Sequence, residues 1–218
     1  MFIREKGTET GLLGGNKGFT LIEMAIVLII IGIIIGAVVK GKDLIRSAEQ
    51  KKIYTKYVSA WRLAYLNFYD RTGKVLGDKS DPSNGQADDP TCLQLVDGDT
   101  ATPPAYYGLS QIGLETPTTN TSDSCTYKYS DSEGNGHNIS VTFKWDDTAG
   151  AKYNYMLISV IPNELGMALD TMIDGEADGT AGDFLCYKDD DTGLATAWLG
   201  ADAPNPEDDV CVRWKMQF

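Results

Sequence analysis

The chain predicts an α+β fold: a long N-terminal α-helix, one half membrane-spanning and the other amphipathic, packed on a small antiparallel β-sheet head. Three observations carry this. Residues 19–39 form the only membrane-length apolar stretch, and residues 54–68 repeat aromatic and aliphatic side chains at helical spacing. The C-terminal part alternates apolar and polar residues between turn signals, as strands do.

Residues 1–18 are polar, with Arg4, Lys6 and Lys17, and the apolar run follows them instead of lying inside them. An ordinary secretory signal has the opposite order, with its apolar region in the removed piece. From Phe19 to Val39 there are 21 residues whose one charge is Glu23. At about 1.5 Å per residue, a helix of this length just spans a bilayer core. A lone acid there costs roughly 2.5–3.5 kcal/mol on insertion scales, so its presence marks function. Gly32 and Gly36 make a Gly-x3-Gly pair, the spacing that lets membrane helices approach closely.

Beyond Val39 the pattern turns amphipathic: Tyr54, Tyr57, Val58, Trp61, Ala64, Tyr65 and Phe68 fall at i, i+3, i+4, i+7 spacing. Thr72-Gly73 is a stop signal. The expected element is one helix from about Thr20 to about Asp70, roughly 75 Å long at the standard rise. Residues 40–70 continue the apolar half, and the aromatic stripe reads as packing for the head, which takes residues 71–218.

The head is acidic. Residues 1–52 hold eight basic and five acidic side chains, and the rest hold eleven and twenty-six, so the head carries about fifteen net negative charges. Such a surface disfavours nucleic acid and anionic lipid. From Gly73 to about Ser122 breaker signals dominate, among them Asp81-Pro82-Ser83-Asn84-Gly85 and Pro103-Pro104. Ile139, Val141, Phe143 and Trp145 then alternate with polar residues, and Asp146-Asp147 with Gly150 turn the chain into Tyr153–Ile161, a hairpin. Residues 163–174 have helical spacing, and Phe184–Lys188 and Val210–Met216 give two shorter strands.

Little here suggests catalysis. The single histidine, His137, follows Gly134-Asn135-Gly136 and reads as an exposed turn residue; no Gly-x-Ser-x-Gly elbow, phosphate loop or metal-spaced His/Cys cluster occurs. Asp174-x-Glu176-x-Asp178-Gly179 copies the start of a calcium loop, with Asp183 positioned to close a looser site because position twelve is Leu185 instead of Glu. Asp189-Asp190-Asp191 reads as a charged turn. Cys92, Cys125, Cys186 and Cys211 have 32, 60 and 24 residues between neighbours, which excludes a Cys-x-x-Cys motif and leaves three disulfide pairings.

Gly18-Phe19-Thr20-Leu21-Ile22-Glu23, opening the apolar run, resembles the N-terminus of type IV pilins and type II secretion pseudopilins at every motif position. The resemblance implies that a prepilin peptidase cleaves between Gly18 and Phe19 and N-methylates Phe19. It also implies that the new amine pairs with Glu23 of a neighbouring subunit as the filament grows. Lys40 stands where many family members have proline. The basic residues of the leader and of residues 40–52 taken alone favour an outside N-terminus. The peptidase motif, which requires a cytoplasmic leader, and the downstream cysteines favour the reverse orientation. Type IV pilins close a C-terminal loop with a disulfide, which implies Cys186–Cys211 here, with Cys92–Cys125 pinning the long loop. Some major pseudopilins bind calcium in their heads.

The implied function is structural, not enzymatic. The chain would be a single-pass inner-membrane subunit with a cytoplasmic N-terminus and a periplasmic head. It would polymerise with homologous subunits on an inner-membrane assembly platform into a periplasmic or cell-surface filament. The alternatives are a type II secretion pseudopilin, or a minor pilin whose head binds a surface or substrate.

Overall fold

The computed structural model describes residues 18–79, 83–99, 104–148, 152–188, 194–198 and 209–218. The leader through Lys17 and the Asp189–Asp191 turn lie outside the described residues. Contacts divide the chain into two units, residues up to Ile45 and Arg46–Phe218.

Helix α1 runs Leu21–Ile53, through Lys40 without interruption. A wide π-turn, Tyr54–Val58, leads into α2, Ser59–Thr72. At the wide turn the Thr55 hydroxyl donates to the Lys51 carbonyl at 2.9 Å, competing with the backbone ladder. The helix stops as expected: Gly73 takes φ 68°, and its N–H reaches Tyr69 O at 2.7 Å.

In the head, α3 covers Cys92–Val96 and a single 3₁₀ turn covers Ser110–Ile112, the regular structure within the loop-like stretch before Ser122. Five strands follow: β1 Thr126–Ser130, β2 Gly136–Asp146, β3 Tyr153–Pro162, β4 Phe184–Lys188 and β5 Asp209–Lys215, with α4 Asn163–Ile173 between β3 and β4. They form one antiparallel sheet in the order β1-β2-β3-β5-β4. The patterning misses β1, an edge strand of five residues. His137 is not in a turn but pairs with Tyr129 inside the β1–β2 ladder.

The helix stripe is the core. Tyr57, Val58, Trp61, Tyr65 and Phe68 are each at most 1% exposed. Tyr65 stacks on Phe143 of β2 at 5.1 Å, Trp61 meets the same ring edge-on at 6.3 Å, and Tyr57 meets Tyr127 of β1 at 5.2 Å. The buried Tyr57 hydroxyl donates to the carbonyls of Cys125 and Ile139, so its polar end is satisfied at the sheet. β3 carries a bulge between Ile158 and Ile161. Residues three apart would normally face opposite sides; the extra residue lets both Ile158 and Ile161 bury in the helix-side core. Val160, inside the bulge, takes φ 58°, a strained value for a β-branched residue.

The other sheet face holds Tyr155, Leu157, Leu185, Tyr187 and Cys211. There Arg213 is flanked by the rings of Tyr155 and Tyr187, at 4.6 and 4.1 Å, and bonds Asp146 at 2.6 Å. Both edges of the sheet are covered. The Asn120 amide donates to Lys128 O and accepts from Lys128 N on β1, at 2.7 and 2.8 Å. On β4, Cys186 N reaches Gly179 O and Thr196 N reaches Cys186 O, both at 2.8 Å.

Cys92 and Cys125 form a disulfide with Cα atoms 5.6 Å apart, tying α3 to the start of β1. The Cys186–Cys211 pairing is corrected. Cys186 pairs in register with Val212 and Cys211 with Tyr187, so the two are offset by one residue. That offset sends their side chains to opposite faces, Cys186 to the helix-side core and Cys211 to the other cluster. Neither cysteine is in a disulfide.

Cys92→Ser with Cys125→Ser should lower unfolding free energy by about 3–4 kcal/mol, from the entropy of the opened loop. Urea titration of the detergent-solubilised chain checks the value. Cys186→Ser should leave non-reducing peptide maps unchanged, with Cys92–Cys125 still linked.

Candidate processing and assembly site

The N-terminal site is built by the first turn of α1. Gly18, Phe19 and Thr20 are exposed and precede the helix, so the Gly18–Phe19 bond lies on non-helical backbone. A Cβ added at Gly18 would meet no atom within 4 Å. Any demand for glycine here therefore comes from an enzyme that must approach the bond, not from the fold.

Thr20 is the N-cap. Its hydroxyl accepts from Glu23 N at 3.3 Å, while Glu23 Oε2 accepts from Thr20 N and from Thr20 Oγ1, each at 2.9 Å. This is a reciprocal capping box, and Met24 N to Thr20 O, at 3.2 Å, closes the first helical turn. The acidic group also sits at the positive end of the helix dipole. The bonds within this turn therefore supply part of what hydrocarbon withholds from Glu23. Both bonds to the carboxylate use Oε2, leaving Oε1 for a further donor. The signal for Thr20 was present in the sequence, as Thr-x-x-Glu before an apolar run, but the acid drew the functional reading alone.

Beyond this turn the apolar residues have little packed on them. Leu21, Leu28 and Ile33 are 91%, 69% and 67% exposed. A Cβ at Gly32 or Gly36 would likewise meet nothing within 4 Å, so the Gly-x3-Gly face is open. The 52-residue helix Leu21–Thr72 contains a segment long and apolar enough to cross a membrane.

The residues of the calcium expectation have other work. Asp174 Oδ2 accepts from Asp183 N and Phe184 N at 3.0 and 2.9 Å. Asp178 Oδ1 accepts from Thr180 N and Ala181 N at 2.9 and 2.8 Å. Glu176 and Asp183 are exposed. None of the four joins a converging group of three side-chain metal-ligand atoms among the described residues. Sequence reasoning passed over Asp170, which is fully buried and accepts from Gly179 N at 3.0 Å and Trp198 Nε1 at 2.6 Å. Burial raises its pKa against those two bonds.

Residues 14–39 match the family model described as the prokaryotic N-terminal methylation motif, the signature of type IV pilins and pseudopilins. No curated protein and no solved structure matches the chain. The motif and the apolar helix fit a membrane-anchored precursor that is processed by prepilin peptidase and assembles with other pilin-type subunits.

Thr20→Val keeps the side-chain shape and removes the hydroxyl. It should cost about 1 kcal/mol at the helix start. Amide exchange over Leu21–Met24 in micelles should then accelerate on the order of five-fold, with Ala60–Phe68 unaffected.

Proposed function

We propose that the chain is a structural, non-catalytic subunit of a type IV pilus or related filament, assembled through its N-terminal helix. The observation that carries the reading is the methylation motif at residues 14–39, opening a helix whose apolar surface has so little packed on it. Such a surface needs lipid or other helices around it.

In this reading prepilin peptidase cuts the Gly18–Phe19 bond on the cytoplasmic side and N-methylates the new terminus. The head waits in the periplasm until the inner-membrane assembly platform inserts the subunit beneath its predecessors. Cleavage places a cation one residue before the Thr20 cap. Glu23 of a neighbouring subunit, with Oε1 open, is its acceptor, and an ion pair in a low-dielectric helix bundle is far stronger than one in water. No cofactor or nucleic acid enters this account. A pseudopilin of a type II secretion system, or a minor pilin whose head binds a surface or substrate, would use the same N-terminal chemistry.

The mature protein should begin with N-methyl-Phe19. Intact-mass and N-terminal peptide analysis of sheared filaments tests this directly. Gly18→Ala should accumulate precursor in the membrane, and filaments built from uncut Met1 chains would overturn the proposal.

Glu23→Ala should insert as well as the wild type, because insertion becomes cheaper, yet leave the Phe19 amine unpaired in the filament. A buried charge stripped of its partner costs about 3–5 kcal/mol, so sheared-filament yield should fall on the order of tenfold or more. Glu23→Gln, which keeps size and polarity, should fall similarly. Normal yield from both variants would show that the carboxylate does not drive docking.

A further inference from the structure

The one histidine of the chain sits in an arrangement that a filament role leaves unused. His137 lies near the start of β2, with Nε2 3.0 Å from Asp131 Oδ2 and Nδ1 2.6 Å from Asp209 Oδ1. Its side chain is only 10% exposed. The two carboxylates come from separate parts of the chain. Asp131 belongs to the turn joining β1 to β2, where it also accepts from Glu133 N, Asn135 N and Asn135 Nδ2 at 2.9, 2.8 and 3.0 Å. Asp209 is the first residue of β5 and pairs with Pro162 at the end of β3. Proline has no N–H to give, so the β3–β5 ladder is short of a donor there. The His137 bridge therefore adds a side-chain link between the β1–β2 turn and the start of β5.

A neutral imidazole has one N–H and one lone pair. Set between two carboxylates, it would point that lone pair at an anion; only the imidazolium donates on both sides. We propose that His137 is a pH-sensitive latch that clamps the β1–β2 turn to the start of β5 while charged and releases that end of the sheet when it loses its proton.

The surrounding charges are consistent with this. Desolvation of the ring opposes its charge, but the hydrogen bonds and charges of Asp131 and Asp209 outweigh that effect and hold its pKa above the ordinary value. The bond from His137 is the main reason that Asp131 stays well below the usual carboxylate range. Across the β1–β2 ladder lies Tyr129, whose hydroxyl donates to Glu164 of α4 at 2.8 Å, and Glu164 is 3.5 Å from Arg46 of α1. Because the folded pKa lies above the unfolded value of roughly 6.5, the latch contributes fully below that pH. Its contribution is lost as pH rises through the folded pKa, so release comes on the alkaline side.

A single histidine makes the test specific. The full-length chain in detergent micelles, labelled with ¹⁵N and ¹³C in histidine alone, should show both ring nitrogens protonated at pH 6, below the unfolded value of roughly 6.5. Its titration midpoint should lie above that of the same residue in the urea-unfolded chain, and Asp131→Asn and Asp209→Asn should each shift it downward. Hydrogen exchange at Val210–Val212, corrected for the intrinsic pH dependence, should rise through that midpoint in the wild type and show no such step in His137→Gln. A neutral tautomer at pH 6, a midpoint at or below the unfolded one, or the same exchange step in His137→Gln would overturn the proposal.

Discussion

The packing of the Tyr57, Trp61, Tyr65 and Phe68 stripe against β1 and β2 is the interaction on which the head depends. One helix supplies Tyr57, Trp61, Tyr65 and Phe68, among the largest buried side chains of the core, and the sheet supplies Phe143, Tyr127 and carbonyls that satisfy Tyr57. α4, three turns long, packs on β3, β4 and β5, so without that stripe the β1–β2 part of the apolar face would lose the rings stacked on it. The head is therefore complete only when it includes the second half of the long helix, which is why the contact boundary falls at Ile45–Arg46 and not where the helix ends.

The first half of that helix obeys a different solvent. In hydrocarbon, every polar group needs a partner from its own segment or from another helix. Thr20 and Glu23 meet that demand locally before any neighbour is present. The same geometry keeps one carboxylate oxygen available. The carboxylate is thus partly satisfied within its own turn and still has one oxygen able to accept from a further donor.

Much of this was legible in the sequence because the signals were local. The apolar run, the stripe from Tyr54 to Phe68, the Thr72-Gly73 stop and the alternation around Ile139–Trp145 are periodicities that neighbouring residues set. What was missed depended on long-range register. The Cys186–Cys211 expectation failed because a one-residue offset between β4 and β5 decides which face each sulfur occupies, and spacing alone cannot reveal that. His137 looked like a turn residue because Asp131 and Asp209 are 6 and 72 positions away and only the sheet brings them together. The backbone bonds accepted by Asp174 and Asp178 were likewise hidden, because loop conformation and not spacing decides which amides those carboxylates meet.

The covered sheet edges bear on life at high density. Domains crowded at a surface meet each other at effective concentrations far above those of a dilute protein, and open β-edges under such conditions seed cross-β aggregates. Here the Asn120 side chain occupies the outward backbone of β1 at Lys128, while Gly179 and Thr196 occupy that of β4 at Cys186. Strand-to-strand pairing between heads is blocked at those positions, which leaves association to surfaces other than these stretches of the sheet edges.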